Sequence, residues 1–277
     1  MRSVIRNADT LAVPGAQLHY EVSGSGPVLL TIPGGPADAA TFAALAGALA
    51  DRYTVVRYDP RGVSRSSLDA PADAARFVEV HGDDAHRLLA ALGDDPALVL
   101  GSSGGAVIGL ELAARHPEQV RTLVAHEPPV IRLLPDADAQ LAVTEEVYQI
   151  FRREGWPAAV QRFLANAGLE AGPRQPPADP EAAEAMARMR DNFDFFLAHY
   201  LRPISGYEPD LPALRSGSTR LVIGIADATG GQLAHRCAVA VAERLGLTPV
   251  VFPGDHNGFA SRPAEFAEVL DGVLRAG

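Results

Sequence analysis

The chain has 277 residues, an apolar fraction of 47% and a formal net charge of −10. That length accommodates one α/β domain with an inserted subdomain, and the apolar fraction excludes disorder as the default. The acidic balance repels phosphate backbones and anionic lipid, so no nucleic acid and no membrane surface is expected as a partner.

The first ten residues contain no apolar core of signal-peptide length, and no later stretch is long enough to span a membrane. Residues 17–22 alternate apolar and polar side chains before Ser23-Gly-Ser-Gly-Pro27, which predicts an edge strand and a turn. Residues 28–32 form a continuous apolar run that stops at Pro33-Gly-Gly-Pro36, the pattern of a central strand buried on both faces. Helical spacing over 41–50 leads to a strand at 53–58, closed by Asp59-Pro-Arg-Gly62. Residues 78–92 read as an amphipathic helix and 97–100 as the next strand. After the helix-compatible stretch 106–116 comes another strand, 121–125, closed by His126-Glu-Pro-Pro129. Strands separated by helices predict an α/β fold with a mostly parallel central sheet of about eight strands and right-handed crossovers.

The rhythm breaks at residue 131. From there to 216 no convincing strand occurs, and helical stretches at 140–153, 157–167 and 181–200 flank a proline-rich loop at 170–180. An all-helical insertion placed just after a strand end sits over the carboxyl edge of the sheet, where open α/β sheets bind ligands. We therefore expect a core of 1–130 and 217–277 with a helical cap at 131–216. The strand–helix alternation resumes at 220–224, 232–245, 249–252 and 263–275. The one cysteine, Cys237, permits no internal disulfide, and the cytoplasm is the expected compartment. Usage rich in Ala, Arg, Gly and Pro and poor in Lys points to a GC-rich bacterial genome.

Chemistry concentrates at Gly101-Ser-Ser103-Gly-Gly105, between the strand at 97–100 and the helix after it. A strand that turns into a helix over so few residues forces its middle residue into a strained conformation, which the flanking glycines make room for. The Ser103 hydroxyl then stands at a strand top beside free helix N–H groups, the arrangement of a nucleophile elbow. A phosphate loop is disfavoured, because no Lys follows the glycines and Gly-x-Gly-x-x-Gly spacing is absent. Of the eight histidines, His256 lies in the Gly- and Pro-punctuated loop Phe252-Pro-Gly-Asp-His256, just after the last strand, and is the candidate base. His81 and His86, near Asp83 and Asp84, form a metal-like cluster that reads instead as a solvated helix face, so no metal is expected. His116, His199 and His235 read as helix positions, and His19 as an edge-strand residue.

A hydrolytic serine also needs a carboxylate to fix the imidazole tautomer. Two compete: Glu127, at the end of the strand before the insertion, and Asp227, at the end of the strand after it. Spacing alone leaves both open. The oxyanion of an acyl-transfer intermediate needs two preorganised N–H donors. Gly104 is one candidate; Gly35 is the other, with Gly34 behind it, because Pro36 has no N–H to give.

These stretches together resemble the α/β-hydrolase superfamily from Leu18 to Leu274, through Pro33-Gly-Gly-Pro, Asp59-Pro-Arg-Gly, Gly101-Ser-Ser-Gly-Gly, the helical insertion and Gly254-Asp-His256. His126-Glu127-x-Pro129 and Pro253-Gly-x-His256 resemble the zearalenone-lactonase-like branch in particular. That resemblance implies Glu127 as the acid, whereas most other α/β-hydrolases place it where Asp227 stands. Dehalogenase and epoxide-hydrolase relatives place an Asp at the elbow, where this chain has Ser103. Lactonases of the branch use a cap tryptophan over the ligand; the only tryptophan here is Trp156, early in the insertion. Phe193, Phe195, Phe196 and Tyr200 read as core packing more than as a ligand wall. The expected activity is cofactor-free hydrolysis of a small, mostly apolar ester or lactone, by a monomer or homodimer. The alternatives are C–C bond hydrolysis or perhydrolysis on the same triad, or a non-catalytic ligand receptor.

Overall fold

A computed structural model describes residues 7–71, 73–169 and 180–276. Most of the expected proline-rich loop, 170–179, lies outside the described residues. The strands are β1 (Asn7–Val13), β2 (Ala16–Gly24), β3 (Val28–Ile32), β4 (Thr54–Tyr58), β5 (Ser67–Leu68), β6 (Ala97–Ser102), β7 (Val120–His126), β8 (Arg220–Ala226) and β9 (Val250–Phe252). All nine join one sheet in the order β1-β2-β4-β3-β6-β7-β8-β9, with β5 beside β2. Every pairing from β4 to β9 is parallel, and β1, β2 and β5 run antiparallel to their neighbours.

Residues 17–22 thus lie within β2, which is no edge strand: β1 pairs along it from Asn7↔Val22 to Val13↔Ala16. β1 escapes sequence reading because its first four residues, Asn7 to Thr10, are exposed and mostly polar, with no apolar run to signal a strand. His19 is accordingly an interior-strand residue.

The helices are α1 (Ala43–Leu49), α2 (Phe77–Leu92), α3 (Gly104–Arg115), α4 (Ala137–Glu154), α5 (Trp156–Ala167), α6 (Pro180–Phe195), α7 (Leu201–Gly206), α8 (Leu211–Ser216), α9 (Leu233–Leu245), α10 (Gly258–Ser261) and α11 (Pro263–Arg275). Alternate residues of each central strand feed opposite cores, as the period of two requires. Leu29, Val55, Leu98 and Leu100 pack with α1 and α11; Leu30, Val56 and Val99 pack with α2, α3 and α9. Each fully buried aliphatic side chain of this kind contributes about 1.5–3 kcal/mol.

Among the described residues, no strand occurs between β7 and β8; α4 to α8 fill that stretch. The insertion is tied to the loops of the sheet edge by buried Asn192 of α6. Its Oδ1 accepts from the Ser64 N–H at 2.9 Å, and its Nδ2 donates to the Pro36 carbonyl at 3.1 Å. Asp59 holds the same edge from beneath: Oδ1 accepts from the Ala39 N–H at 2.9 Å, and the Arg65 guanidinium forks onto the carboxylate at 2.7 and 3.0 Å. No described helix is long and apolar enough to cross a membrane.

The His81–Asp84 stretch is not the solvated face read from sequence. His81 and Asp84 are both buried, on the stripe of α2 shared with Phe77 and Leu88. Asp84 tolerates burial because the Arg61 guanidinium forks onto it at 2.6 and 2.5 Å. Among the described residues no group of three or more His, Cys, Asp or Glu could hold a metal ion.

Burial, reinforced by the charge of Arg61, pushes the His81 imidazole down from 6.5 to about 3. A base lowered in the folded state stabilises fully above its unfolded value. That stability is lost as pH falls from 6.5 toward 3, because only the unfolded chain takes up the proton. The slope is about 1.4 kcal/mol per pH unit per histidine. Urea unfolding between pH 7 and pH 5 should therefore show a shallower loss in His81→Leu than in the parent, by about that slope. Equal slopes would refute a neutral, buried His81.

Candidate active site

β6 hands over to α3 through a single residue. Ser103 has φ 55° and ψ −126°, a left-handed backbone that costs a non-glycine residue about 1–3 kcal/mol. Its own N–H is fixed by the His126 carbonyl at 2.9 Å. The turn closes because α3 starts against the end of β3: a Cβ at Gly105 would stand 2.1 Å from the Ile32 carbonyl oxygen.

Strain recurs at Glu127, which follows β7 with φ 48° and is fully buried. Its N–H donates to the Gly224 carbonyl at 2.9 Å, so the end of β8 fixes the turn. The carboxylate is then satisfied on both oxygens. Oε2 meets His256 Nδ1 at 2.6 Å; Oε1 accepts from the Ala226 N–H at 3.1 Å and from the Thr229 hydroxyl. A hydroxyl has one proton, so with that proton on Glu127 the His235 Nδ1–H is the donor in the 3.0 Å contact to Thr229 Oγ1. Burial alone would push the Glu127 carboxyl up. The hydrogen bond and charge of His256, then His126 and the Thr229 hydroxyl, overcome it and bring the value from 4.5 down to about 2.

Asp227 does a different job. Its Oδ1 accepts from the Gly254 N–H at 2.8 Å, at a position with φ 95°, and its Oδ2 lies 3.9 Å from Arg262. The two carboxylates that sequence left in competition thus clasp the same loop after β9. Asp227 holds the backbone and Glu127 holds the imidazole.

Ser103, His256, Gly34, Gly35 and Gly104 all line one cavity of about 370 Å³. Gly104 opens α3, so its N–H has no partner within the helix. Gly35 sits at φ 60° in the loop after β3. Gly34 packs against the elbow itself: a Cβ there would stand 2.4 Å from the Ser102 carbonyl oxygen.

The insertion adds Phe193, Phe196 and Tyr200 to a wall that Phe42, Leu233 and Phe259 also form. Three of the four aromatics read as core packing thus face the cavity, and only Phe195 turns away. The Phe195 ring lies where a Cβ of Gly62 (φ 76°) would stand, at 2.4 Å. Trp156 stacks on Phe193, centroids 5.8 Å apart, and so backs the wall. Among the described residues, no other histidine lines the cavity. His86 and His116 stack on each other at 3.8 Å. His126 is buried, pushed down to about 3 by burial, with its Nδ1 at 3.3 Å from Ser102 Oγ. Sequence reading missed Thr229, whose only signal is its place two residues after Asp227.

Residues 27–167 match the model of the alpha/beta hydrolase fold, and the chain belongs to that family. It is 39% identical over 272 residues to the uncharacterized hydrolase YraK of Bacillus subtilis (strain 168), covering 97% of this chain and 96% of that protein. It is 27% identical over 274 residues to a zearalenone hydrolase of Bionectria ochroleuca, covering 96% and 97%. A hydrolase structure from Pseudomonas aeruginosa PA01 superposes with a TM-score of 0.71 at 25% identity, covering 97% and 98%.

The Glu127 carboxyl is lowered in the folded state, so its contribution to stability is present above pH 4.5 and is lost as pH falls toward 2. Thr229→Val removes one donor from a buried carboxylate, at a cost of about 1–3 kcal/mol, and raises the folded-state value. Urea unfolding at pH 7 should show that loss, and the decline that starts near pH 4.5 should be smaller and end at higher pH than in the parent. A variant equal to the parent in both would mean that Thr229 does not hold the carboxylate.

Proposed function

We propose that this chain is a serine hydrolase that cleaves a carboxylic ester or lactone of a mid-sized, mostly apolar small molecule through an acyl-enzyme. Ser103 is the nucleophile, His256 the general base, and Glu127 the carboxylate that holds His256. The observation that carries the reading is the 2.6 Å contact between Glu127 and His256 Nδ1, at a cavity that Ser103 also lines. With Nδ1–H committed to a buried carboxylate, Nε2 is left as the nitrogen free to accept the serine proton.

The steps follow from that tautomer. Nε2 takes the Ser103 proton as Oγ attacks the substrate carbonyl, and the N–H groups of Gly35 and Gly104 receive the oxyanion. The imidazolium, stabilised by ionised Glu127, passes its proton to the leaving alkoxide. Water enters, His256 accepts one of its protons as the oxygen attacks the acyl carbon, and that proton passes to Ser103 Oγ as the acyl C–O bond breaks and the carboxylic acid leaves. The chemistry requires no metal or organic cofactor. The insertion at 131–216 serves as the cap, and its apolar wall favours an apolar acyl or alcohol group. Similarity to a zearalenone hydrolase supports a lactone or ester substrate class. The enzyme is proposed to act in the cytoplasm, as a monomer or homodimer, with a small molecule as its only partner.

Steady-state turnover of p-nitrophenyl butyrate and a lactone panel tests the assignment. Ser103→Ala should abolish turnover, and Glu127→Gln should lower kcat by about 10²–10⁴. Asp227→Asn, which keeps an acceptor for Gly254, should stay within about threefold. The reverse pattern would reassign the acid, and silence in both acid variants would remove the triad. Preference for β-diketones over every ester would move the reaction to C–C hydrolysis. Fluorophosphonate labelling of Ser103 without any turnover would favour a receptor.

A further inference from the structure

Tyr200 closes the segment Phe196–Tyr200, where the chain between α6 and α7 widens to π-helical winding and the Leu201 N–H reaches back to the Phe196 carbonyl. Such local π turns recur at functional sites. Here the winding sets two aromatic rings over the two glycines in the oxyanion role. A Cβ at Gly35 would stand 3.9 Å from Phe196 Cε2. A Cβ at Gly104 would stand 2.5 Å from Tyr200 Oη and 2.6 Å from its Cε1.

The phenol is 1% exposed, and its Oη has no hydrogen-bond partner. The Gly35 backbone amide is near enough to oppose, as a donor, the upward push of burial on that phenol. Of the buried side chains with an unpartnered polar atom among the described residues, Tyr200 is the one that lines the cavity. A buried hydroxyl without a partner is a net cost to folding, so its presence here calls for a ligand that completes it.

We propose that the Tyr200 hydroxyl is a third hydrogen-bond donor to the substrate carbonyl oxygen, acting beside the Gly35 and Gly104 amides as the oxyanion forms. This rests on the serine-hydrolase reading above. Tyr200 is then a catalytic residue supplied by the insertion. An oxygen held by both glycine amides has the phenol O–H as its next neighbour. Burial pushes the phenol well above its ordinary value, so it stays protonated and donates throughout the working pH range. The donor strengthens as charge builds on the oxygen, so it acts on the transition state more than on bound substrate.

Tyr200→Phe keeps the ring on Gly104 and deletes only the oxygen. With p-nitrophenyl butyrate, kcat should fall by about 100-fold while KM stays within about threefold. An alkyl trifluoromethyl ketone, which forms a hemiketal oxyanion on Ser103, should lose affinity by the same factor as kcat/KM. The Tm should be unchanged or higher, because an unpartnered buried hydroxyl has gone. Unchanged kcat and unchanged ketone affinity would overturn the proposal, as would faster turnover, which would make the phenol an obstruction. A lower Tm with losses spread equally over kcat and KM would make Tyr200 structural and overturn it too. Ser103→Ala is measured alongside. If it is inactive, those failures concern Tyr200 alone; if it retains full turnover, the serine-hydrolase reading falls and takes this inference with it.

Discussion

The site depends on the absence of side-chain atoms where β3, β6 and α3 converge. A Cβ at Gly101 would stand 2.4 Å from the Gly105 carbonyl oxygen, and one at Gly105 still closer to the end of β3. Real Cβ atoms do not approach so closely, so an alanine at either place would push the helix away from the strand it leaves. Close approach is what turns the chain in one residue, and turning in one residue is what puts Ser103 at φ 55°. The elbow's strain is therefore set by packing on three elements rather than chosen locally. It persists because the surroundings leave no alternative.

A second strained residue, Glu127 at φ 48°, sits one strand away, and the two are linked. The Ser103 N–H ends on the His126 carbonyl, the residue just before Glu127, and the Glu127 N–H ends on Gly224 of β8. Each parallel strand end thus fixes its neighbour across the sheet. A buried carboxylate without donors would protonate; this one has the imidazole, a backbone amide and a hydroxyl, and remains charged. Both strained turns are held by such edge-to-edge bonds, so a local change at β8 reaches Glu127, and through it the His256 imidazole.

The fold and much of the site were legible in the sequence because each rested on local signals. Continuous apolar runs marked β3 and β6, and the elbow glycines marked Ser103. The choice between Glu127 and Asp227 was not local. The two residues end adjacent strands, and what separates them is the direction each carboxylate takes toward one loop a hundred or more positions away in the one case, 27 in the other. His81 was misread because a titratable residue on a helix was assumed to face water, although its spacing with Phe77, Asp84 and Leu88 traces a buried stripe. The aromatics of the insertion pack on the core as read, and three of them also line the cavity. Residues 193, 196 and 200 recur at helical spacing whether they pack on a core or surround a void, and a void leaves no mark in the sequence.

The void and the elbow are not independent. Asn192 binds the Pro36 carbonyl at 3.1 Å, and Pro36 immediately follows Gly35. One turn further along the same helix, Phe196 covers Gly35 and Tyr200 covers Gly104. The segment that bounds the cavity therefore also covers both amide-bearing glycines, tightly at Gly104. A substrate too bulky for the wall at Phe193 and Phe196 would have to displace that helix. Displacing it would pull on the Pro36 carbonyl and lift the rings from the two glycines. In the proposed reaction a poor fit at the apolar wall would become misalignment at the polar end. In that reaction, selection by size and stabilisation of developing charge would both be exerted through this one segment.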